Sequence, residues 1–89
     1  MTMELRPLGI DGVIEIIPKK IGDARGYFAE TYARAGFRAA GIAQDWVQDN
    51  QSFSAEKGVL RGFHFQVSPF AQDKLIRVLR GSIFDVAVD

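Results

Sequence analysis

Apolar and polar residues alternate in short stretches along the first third of the chain. The β-branched run VIEII at residues 13–17 stops at Pro18 and predicts a strand that ends there. A glycine–aspartate pair in residues 19–26 is typical of a turn, so this segment is expected to be a loop. A second short strand is predicted at residues 27–31, with Phe28 and Glu30 on one face.

The spacing of apolar residues changes after Thr31. Ala33, Phe37 and Ala40 recur at helical spacing, which predicts a short helix. Thr31 is expected to cap its beginning, and Gly41 stands where the glycine that ends a helix is commonly found. This is the one helix that the pattern predicts.

Four further strands are predicted in the second half, where short alternating runs are separated by turn residues. They cover residues 45–53, 59–66, 74–80 and 83–89. The Gly81-Ser82 dipeptide favours a type II′ hairpin between the last two. That hairpin would place Lys74, Asp85 and Asp89 on one largely apolar face, where charges must be paired or functional.

This order of elements is typical of an all-β sandwich or barrel, because the strands do not alternate with long helices. A chain of 89 residues is short enough for one domain, so residues 1–89 are expected to form a single unit. The last predicted strand reaches Asp89 without a turn, cap or polar tail. We therefore expect the natural protein to be longer.

Composition argues against several classes of function. Lys and Arg number 11 and Asp and Glu number 11, so the chain has no overall basic field for nucleic acid. The absence of cysteine excludes disulfides and thiol nucleophiles. No apolar run approaches the ~20 residues that span a bilayer, and no signal peptide is recognisable. These features fit a cytoplasmic protein that binds neither nucleic acid nor membrane.

The single histidine, His64, lies between two cations, Arg61 and Lys74, in apolar, strand-like sequence. A neutral imidazole accepts a proton near neutral pH, a carboxylate behind it favours the imidazolium, and a lysine stabilises an enolate oxygen. This set suits removal of a proton next to a carbonyl. The alternative that the residues leave open is a hydrogen-bonded structural histidine.

Two other kinds of site are weighed on the same residues. Metal sites of β-barrel proteins usually use several histidines with a carboxylate, and this chain has one histidine, so neither a metal nor a cofactor is expected. Forked hydrogen bonds would suit a phosphate at Arg25, Arg61, Arg77 and Arg80. Solvated surface charge is the alternative, and it is the preferred interpretation of Arg34, Arg38 and Arg80.

Five ordered motifs, IGDARGYFAE, WVQDNQS, GVLRGFHFQ, AQDKLIRVLRG and IFDVAVD, cover most of residues 21–89. Together they resemble the first half of the dTDP-4-dehydrorhamnose 3,5-epimerase family. The resemblance implies an all-β, cupin-type jelly roll, incomplete in this chain, with one short helix. It also implies a metal-independent homodimer, joined through the N-terminal arm, that converts dTDP-4-dehydro-6-deoxy-D-glucose to dTDP-4-dehydro-L-rhamnose by epimerisation at C3 and C5.

The same resemblance implies roles for the matching residues. His64 would be the general base, Lys74 would stabilise the enolate, and Asp85 would support His64. The implied substrate-binding residues are Arg61 at the diphosphate, Gln48, Asp49 and Asn50 in the nucleotide-sugar pocket, and Arg25, Phe28 and Glu30 at the nucleotide. The family's tyrosine general acid would lie beyond Asp89.

Two alternatives remain beside this interpretation. A related sugar-nucleotide cupin, such as a 3- or 5-monoepimerase or a ketoisomerase, would retain the same half of the site. A truncated, non-catalytic β module would keep part of the fold and only associate with other chains. Binding of dTDP would separate an enzyme with a working pocket from such a module.

Overall fold

The computed structural model describes residues 3–89. Its regular structure lies in the first half and is mostly strand, with one short helix, in agreement with an all-β class. The elements are β1 (Met3–Pro7), β2 (Ile14–Pro18), β3 (Lys20–Asp23), β4 (Gly26–Ala29) and α1 (Arg34–Ala39). Two antiparallel ribbons result, β1 with β2 and β3 with β4.

The first ribbon confirms the strand predicted at residues 13–17, shifted by one residue to include Pro18. Its partner β1 was not predicted, although Met3 and Leu5 alternate there with charged residues. Arg6 stands opposite Glu15 in the ladder, and their side chains approach to 3.7 Å. Two backbone hydrogen bonds close the connecting turn. The Leu8 N–H donates to the Val13 carbonyl (3.0 Å), and within the turn the Val13 N–H donates to the Ile10 carbonyl (3.1 Å).

The second ribbon corrects the loop predicted at residues 19–26. Gly22 does not turn the chain but stands opposite Tyr27 in the ladder, and the turn lies at residues 24–25. Asp23 stabilises the turn at this position, because the Asp23 carboxylate accepts a hydrogen bond from the backbone N–H of Arg25 at 2.8 Å. Gly26 follows with a φ of 138°. The strand predicted at residues 27–31 exists as β4 but ends at Ala29.

Helix α1 confirms the predicted helix and its glycine end, and it corrects the predicted N-terminal cap. The N-cap residue is Ala33, with no side-chain bond, so Thr31 does not cap the helix. At the other end, Ile42 donates to the Phe37 carbonyl (2.8 Å) and Gly41 to the Arg38 carbonyl (3.0 Å). These two bonds form a Schellman motif, with Gly41 in the left-handed region at a φ of 94°.

A small cluster forms around the helix. Phe37 is 2% exposed and is the one apolar side chain of residues 3–89 that is fully buried, with the ring of Tyr32 edge-on at 4.6 Å. On the outer face, Arg34 and Arg38 both reach Asp45, at 3.1 Å and 2.9 Å. The hydrogen bond from Arg38, then the charge of Arg34, hold the pKa of the Asp45 carboxyl below its ordinary value. The two arginines thereby fasten the following segment to the helix.

The four strands predicted in the second half are wrong for this structure. Residues 45–53, 59–66, 74–80 and 83–89 contain no hydrogen-bonded ladder. Gly81 does adopt a positive φ of 86°, as the first residue of a type II′ turn requires, yet the flanking segments do not pair. An alternating pattern creates a strand only where a neighbour satisfies the backbone groups, and the pattern does not specify that neighbour.

The apolar side chains of this half are therefore exposed. Val47, Leu60 and Phe84 are 94%, 92% and 93% exposed. The accessible surface of 8564 Å² compares with about 5,200 Å² expected for a folded chain of this mass. The radius of gyration, 15.2 Å, compares with about 12 Å for a compact chain of this length. The jelly-roll core expected from the resemblance is not formed by these residues.

The helix end yields a prediction about two glycines. Gly41→Ala places a β-carbon on a residue in the left-handed region, which should destabilise the Schellman motif by about 1–2 kcal/mol. Exchange of the Ile42 amide should then be about 5- to 30-fold faster, measured by NMR hydrogen exchange.

Gly36→Ala is the matched control. A β-carbon on Gly36 would meet Met3 Cε at 3.7 Å and Glu30 Oε1 at 3.9 Å, both ordinary contacts, and alanine favours the helix. Exchange at Ile42 should slow in this variant. Equal rates in Gly41→Ala and the unmodified chain would show that the positive φ is not required.

Candidate active site

The tip of the β3–β4 ribbon forms an open cleft of about 360 Å³. Ile21 and Phe28 are register partners across the two strands and form its apolar wall. The lining residues are Ile21, Asp23, Arg25, Gly26, Tyr27 and Phe28. Two of the three residues predicted to meet a nucleotide, Arg25 and Phe28, therefore share one cleft. It combines an exposed aromatic ring with a guanidinium, which suits a flat ring carrying a negative group.

Arg25 is fixed at this tip by Asp23. Its Nη2 donates to Asp23 Oδ2 at 2.7 Å, and its Nε lies 3.2 Å from Oδ2 and 3.4 Å from Oδ1. Hydrogen bonds from the guanidinium, and then from the backbone N–H of Arg25, hold the pKa of the Asp23 carboxyl below its ordinary value. The same pairing raises the pKa of Arg25. Sequence reasoning missed Asp23, whose signal is an aspartate two residues before an arginine in a turn.

Two further contacts of this region involve residues that do not line the cleft, Lys20 and Glu30. The ammonium of Lys20 stands 4.6 Å from the centre of the Tyr27 ring, and the pair shares one face of the ribbon because Lys20 opposes Ala29. Glu30 follows β4 and is half-buried, with Oε1 near Gly36 of the helix. The third predicted nucleotide residue therefore points to α1 and not to the cleft.

His64 lines a second cleft, of about 430 Å³. Residues 63–65 form one wall and residues 86–88 a second wall, and His64 itself is exposed. Asp85 precedes the second wall but does not line the cleft. The resemblance implied that Asp85 of the last segment supports His64, whereas the residue pattern alone did not predict that residues 86–88 line its cleft.

Neither Lys74 nor Asp85 lines the cleft that contains His64. Both are exposed, as is Asp89. Among the ion pairs of residues 3–89, none joins Lys74 to either aspartate. The shared face expected for these three charges depended on the ladder between residues 74–80 and 83–89, which is not formed here. The prediction of their common face is therefore wrong for this structure.

The remaining predicted binding residues form two small polar arrangements. Gln48 Nε2 donates to Asn50 Oδ1 at 3.3 Å, as expected for residues of equal parity, and Asp49 between them is exposed. Arg61 binds the Ser54 hydroxyl through Nε at 3.2 Å and Nη2 at 3.1 Å, and Nη2 also reaches the Phe53 carbonyl at 3.1 Å. Arg61 thus closes the loop at residues 54–58, a role that the sequence did not suggest.

Two kinds of feature are absent from the described part of the chain. Residues 3–89 contain no group of three or more His, Cys, Asp or Glu side chains arranged to hold a metal ion. Over the same residues, no helix has the length and apolar character needed to cross a membrane.

Comparison with known proteins identifies the family of this chain. The sequence profile described as dTDP-4-dehydrorhamnose 3,5-epimerase matches residues 7–89. The chain belongs to this family. The family resemblance carried by the five motifs is thereby confirmed. No solved structure matches the chain.

Three curated relatives illustrate the similarity. A dTDP-4-dehydrorhamnose 3,5-epimerase of Sinorhizobium fredii is 51% identical over 98% of this chain and 45% of its own length. The enzyme of that name from Methanothermobacter thermautotrophicus is 54% identical over 90% of this chain and 42% of its own. A dTDP-4-dehydrorhamnose 3-epimerase of Streptomyces niveus is 46% identical over 98% and 42%. The chain spans less than half the length of these relatives.

The ion pair at the ribbon tip predicts a pH dependence. Because the pKa of Asp23 is lowered in the folded chain, the pairing contributes stability that is fully present above the unfolded pKa. That contribution is lost as pH falls through the folded pKa. The Asp23 carboxyl, followed by carbon-13 NMR, should therefore titrate below its ordinary value of 3.8.

The Arg25→Gln variant serves as the control for this titration. It removes the guanidinium and retains the backbone N–H, so the Asp23 midpoint should rise toward the ordinary value without reaching it. An unchanged midpoint would mean that the guanidinium is not the main cause of the lowered pKa.

Proposed function

We propose that the protein carrying this chain epimerises C3 and C5 of dTDP-4-dehydro-6-deoxy-D-glucose, forming dTDP-4-dehydro-L-rhamnose. The observation that carries the proposal is the family match over residues 7–89, with relatives near 50% identity that bear the name of this activity. The five motifs contain every residue needed for the first half of the chemistry, which is proton removal next to a ketone.

His64 is the proposed general base. It takes the proton from the carbon next to the 4-keto group, and the electron pair of the broken C–H bond moves into the enolate. His64 is exposed in its cleft, so a substrate carbon can approach the imidazole. Return of a proton to the opposite face of that carbon inverts its configuration.

Lys74 and Asp85 complete this half of the reaction in the proposal. The Lys74 ammonium stabilises the charge that develops on the enolate oxygen, and the Asp85 carboxylate favours the protonated His64. No metal or cofactor takes part in the proposed chemistry.

The nucleotide part of the substrate is assigned to the ribbon tip and the polar loops. The exposed ring of Phe28 offers a surface for the base, and Arg25 offers a cation beside it. Arg61 would meet the diphosphate with the donor atoms that Ser54 and Phe53 leave free. Gln48, Asp49 and Asn50 contribute amide and carboxylate groups for the sugar, and Glu30 would have to turn from α1 toward the base.

A second candidate is epimerisation at C3 alone. The relative from Streptomyces niveus is named a 3-epimerase, and its identity to this chain, 46%, is close to that of relatives named 3,5-epimerases. Residues 7–89 are therefore compatible with either outcome. The two candidates differ in the carbon atoms at which substrate protons exchange with solvent.

The function is tested by solvent-deuterium incorporation into dTDP-4-dehydro-6-deoxy-D-glucose, using the intact protein. Deuterium at C3 and C5 is expected for double epimerisation, and at C3 alone for the second candidate. His64→Ala should abolish incorporation, and Lys74→Met should lower kcat by about 10²–10³ with a small change in KM.

The melting temperature of each variant is the control for this experiment. A large drop in Tm for Lys74→Met with kcat nearly intact would assign the lysine a structural role. Exchange at the unmodified rate in His64→Ala would remove His64 from the reaction.

We also propose that two copies associate through the N-terminal arm, residues 19–31. Its ribbon has two strands and its apolar side chains Ile21, Tyr27 and Phe28 are exposed. An isolated two-stranded ribbon is marginally stable in water, so cover from a second copy would stabilise it. The open edges of β3 and β4 offer backbone groups for pairing.

The intact protein should therefore be a dimer at micromolar concentration in sedimentation velocity. Ile21→Asp should shift it toward monomer, because a carboxylate on this face must be desolvated in the dimer. Leu8→Asp is the matched control, since Leu8 is exposed to a similar degree but lies in the β1–β2 turn. A monomeric unmodified protein, or equal dissociation by both variants, would contradict the arm as the interface.

A further inference from the structure

Asp23 engages one edge of the Arg25 guanidinium and leaves the other edge free. The bonds from Asp23 go to Nε and Nη2, at 2.7 to 3.4 Å. Among the hydrogen bonds of residues 3–89, Nη1 of Arg25 takes part in none, and the guanidinium has no other partner. A guanidinium presents its donors in a rigid fork, so fixing one edge also fixes the direction of the opposite one.

The same carboxylate also holds the backbone from which Arg25 projects. Asp23 Oδ1 accepts the Arg25 N–H at 2.8 Å, in the turn between β3 and β4. A side chain that is 91% exposed would otherwise sample many rotamers of a long, flexible stem. Asp23 therefore restricts both the backbone and the terminal group of one residue.

We propose that Asp23 is a positioning residue, which holds Arg25 so that its free Nη edge meets an anionic phosphate of the nucleotide sugar. The inference rests on the proposed function, because it takes the cleft beside Phe28 as the nucleotide site. Two parallel N–H groups on the free edge match two phosphate oxygens, the arrangement that favours arginine over lysine at such groups.

Two physical effects of Asp23 oppose one another, and this makes the proposal testable. Its negative charge weakens the long-range attraction of Arg25 for a phosphate, whereas its hydrogen bonds orient the fork. If charge screening dominated, removing the charge would strengthen phosphate binding. If orientation dominates, as we propose, removing the charge weakens phosphate binding.

The experiment compares Asp23→Asn with the unmodified intact protein. Asparagine keeps a side-chain oxygen for the Arg25 N–H, so the turn persists while the charged pair is lost. Affinity for dTDP should fall about fivefold, the upper range for an exposed pair, while affinity for thymidine should not change. Asp11→Asn makes the same charge change in the β1–β2 turn and should leave both affinities as they are.

Two further readouts separate orientation from folding. The Arg25 Nε–Hε signal in nitrogen-15 NMR should broaden and exchange faster with water in Asp23→Asn, with the amides of β3 and β4 unchanged. Asp23→Ala should lose both the ordered guanidinium and the amide protection of the ribbon. If the unmodified protein binds dTDP, then tighter or unchanged dTDP binding by Asp23→Asn would overturn the proposal.

Failure of the proposed function gives a different result. If the unmodified protein does not bind dTDP, titration with inorganic diphosphate is followed at the Arg25 Nε–Hε signal. A response that Asp23→Asn loses would support the positioning role at a site for another phosphate ligand. No response in the unmodified protein would overturn it.

Discussion

Reinforced pairing between neighbouring strands is the constraint on which this structure depends. A two-stranded ribbon persists in water when something strengthens its turn or covers one of its faces. The β1–β2 ribbon has backbone bonds across its turn, and Met3 lies close to helix α1. The β3–β4 ribbon has the Asp23 carboxylate. Residues 74–89 have a glycine of suitable φ but neither a strengthened turn nor a covered face, and they do not pair.

This constraint divides the candidate site into two parts. Arg25 and Phe28 stand on a ribbon whose partner strands are joined by two residues, so the nucleotide side of the site is formed by local sequence. His64 and the residues 86–88 that share its cleft are far apart along the chain, and loop closure over longer distances costs more chain entropy. The proposed binding groups therefore depend on a local turn, whereas the proposed general base depends on contacts between distant segments.

The sequence supports prediction where a signal is local and has one interpretation. The run before Pro18 and the glycine after α1 are such signals, and both were confirmed. The motif containing Gly22, Asp23 and Gly26 has two possible turn positions, and the choice depends on a side-chain bond that a pattern does not display. Thr31 is a good capping residue by type, yet the helix begins three residues later, beside the buried Phe37.

The sequence predicts which residue types belong to the candidate site better than it predicts which of those residues contact one another. Family motifs identify His64 and Arg25 with no knowledge of their surroundings. The contact of residues 63–65 with residues 86–88 and the use of Arg61 to close a loop both depend on long-range approach, which alternation along the chain does not encode. The expected grouping of Lys74 with two aspartates failed for a different reason, because its hairpin is local but lacks a reinforced turn or a covered face.

The exposed apolar side chains of residues 43–89 have a consequence for the protein in a cell. Chaperones and proteases recognise uncovered hydrophobic segments, and Leu60 and Phe84 present such segments almost completely to solvent. These residues would therefore be open to such recognition until other protein surface covers them.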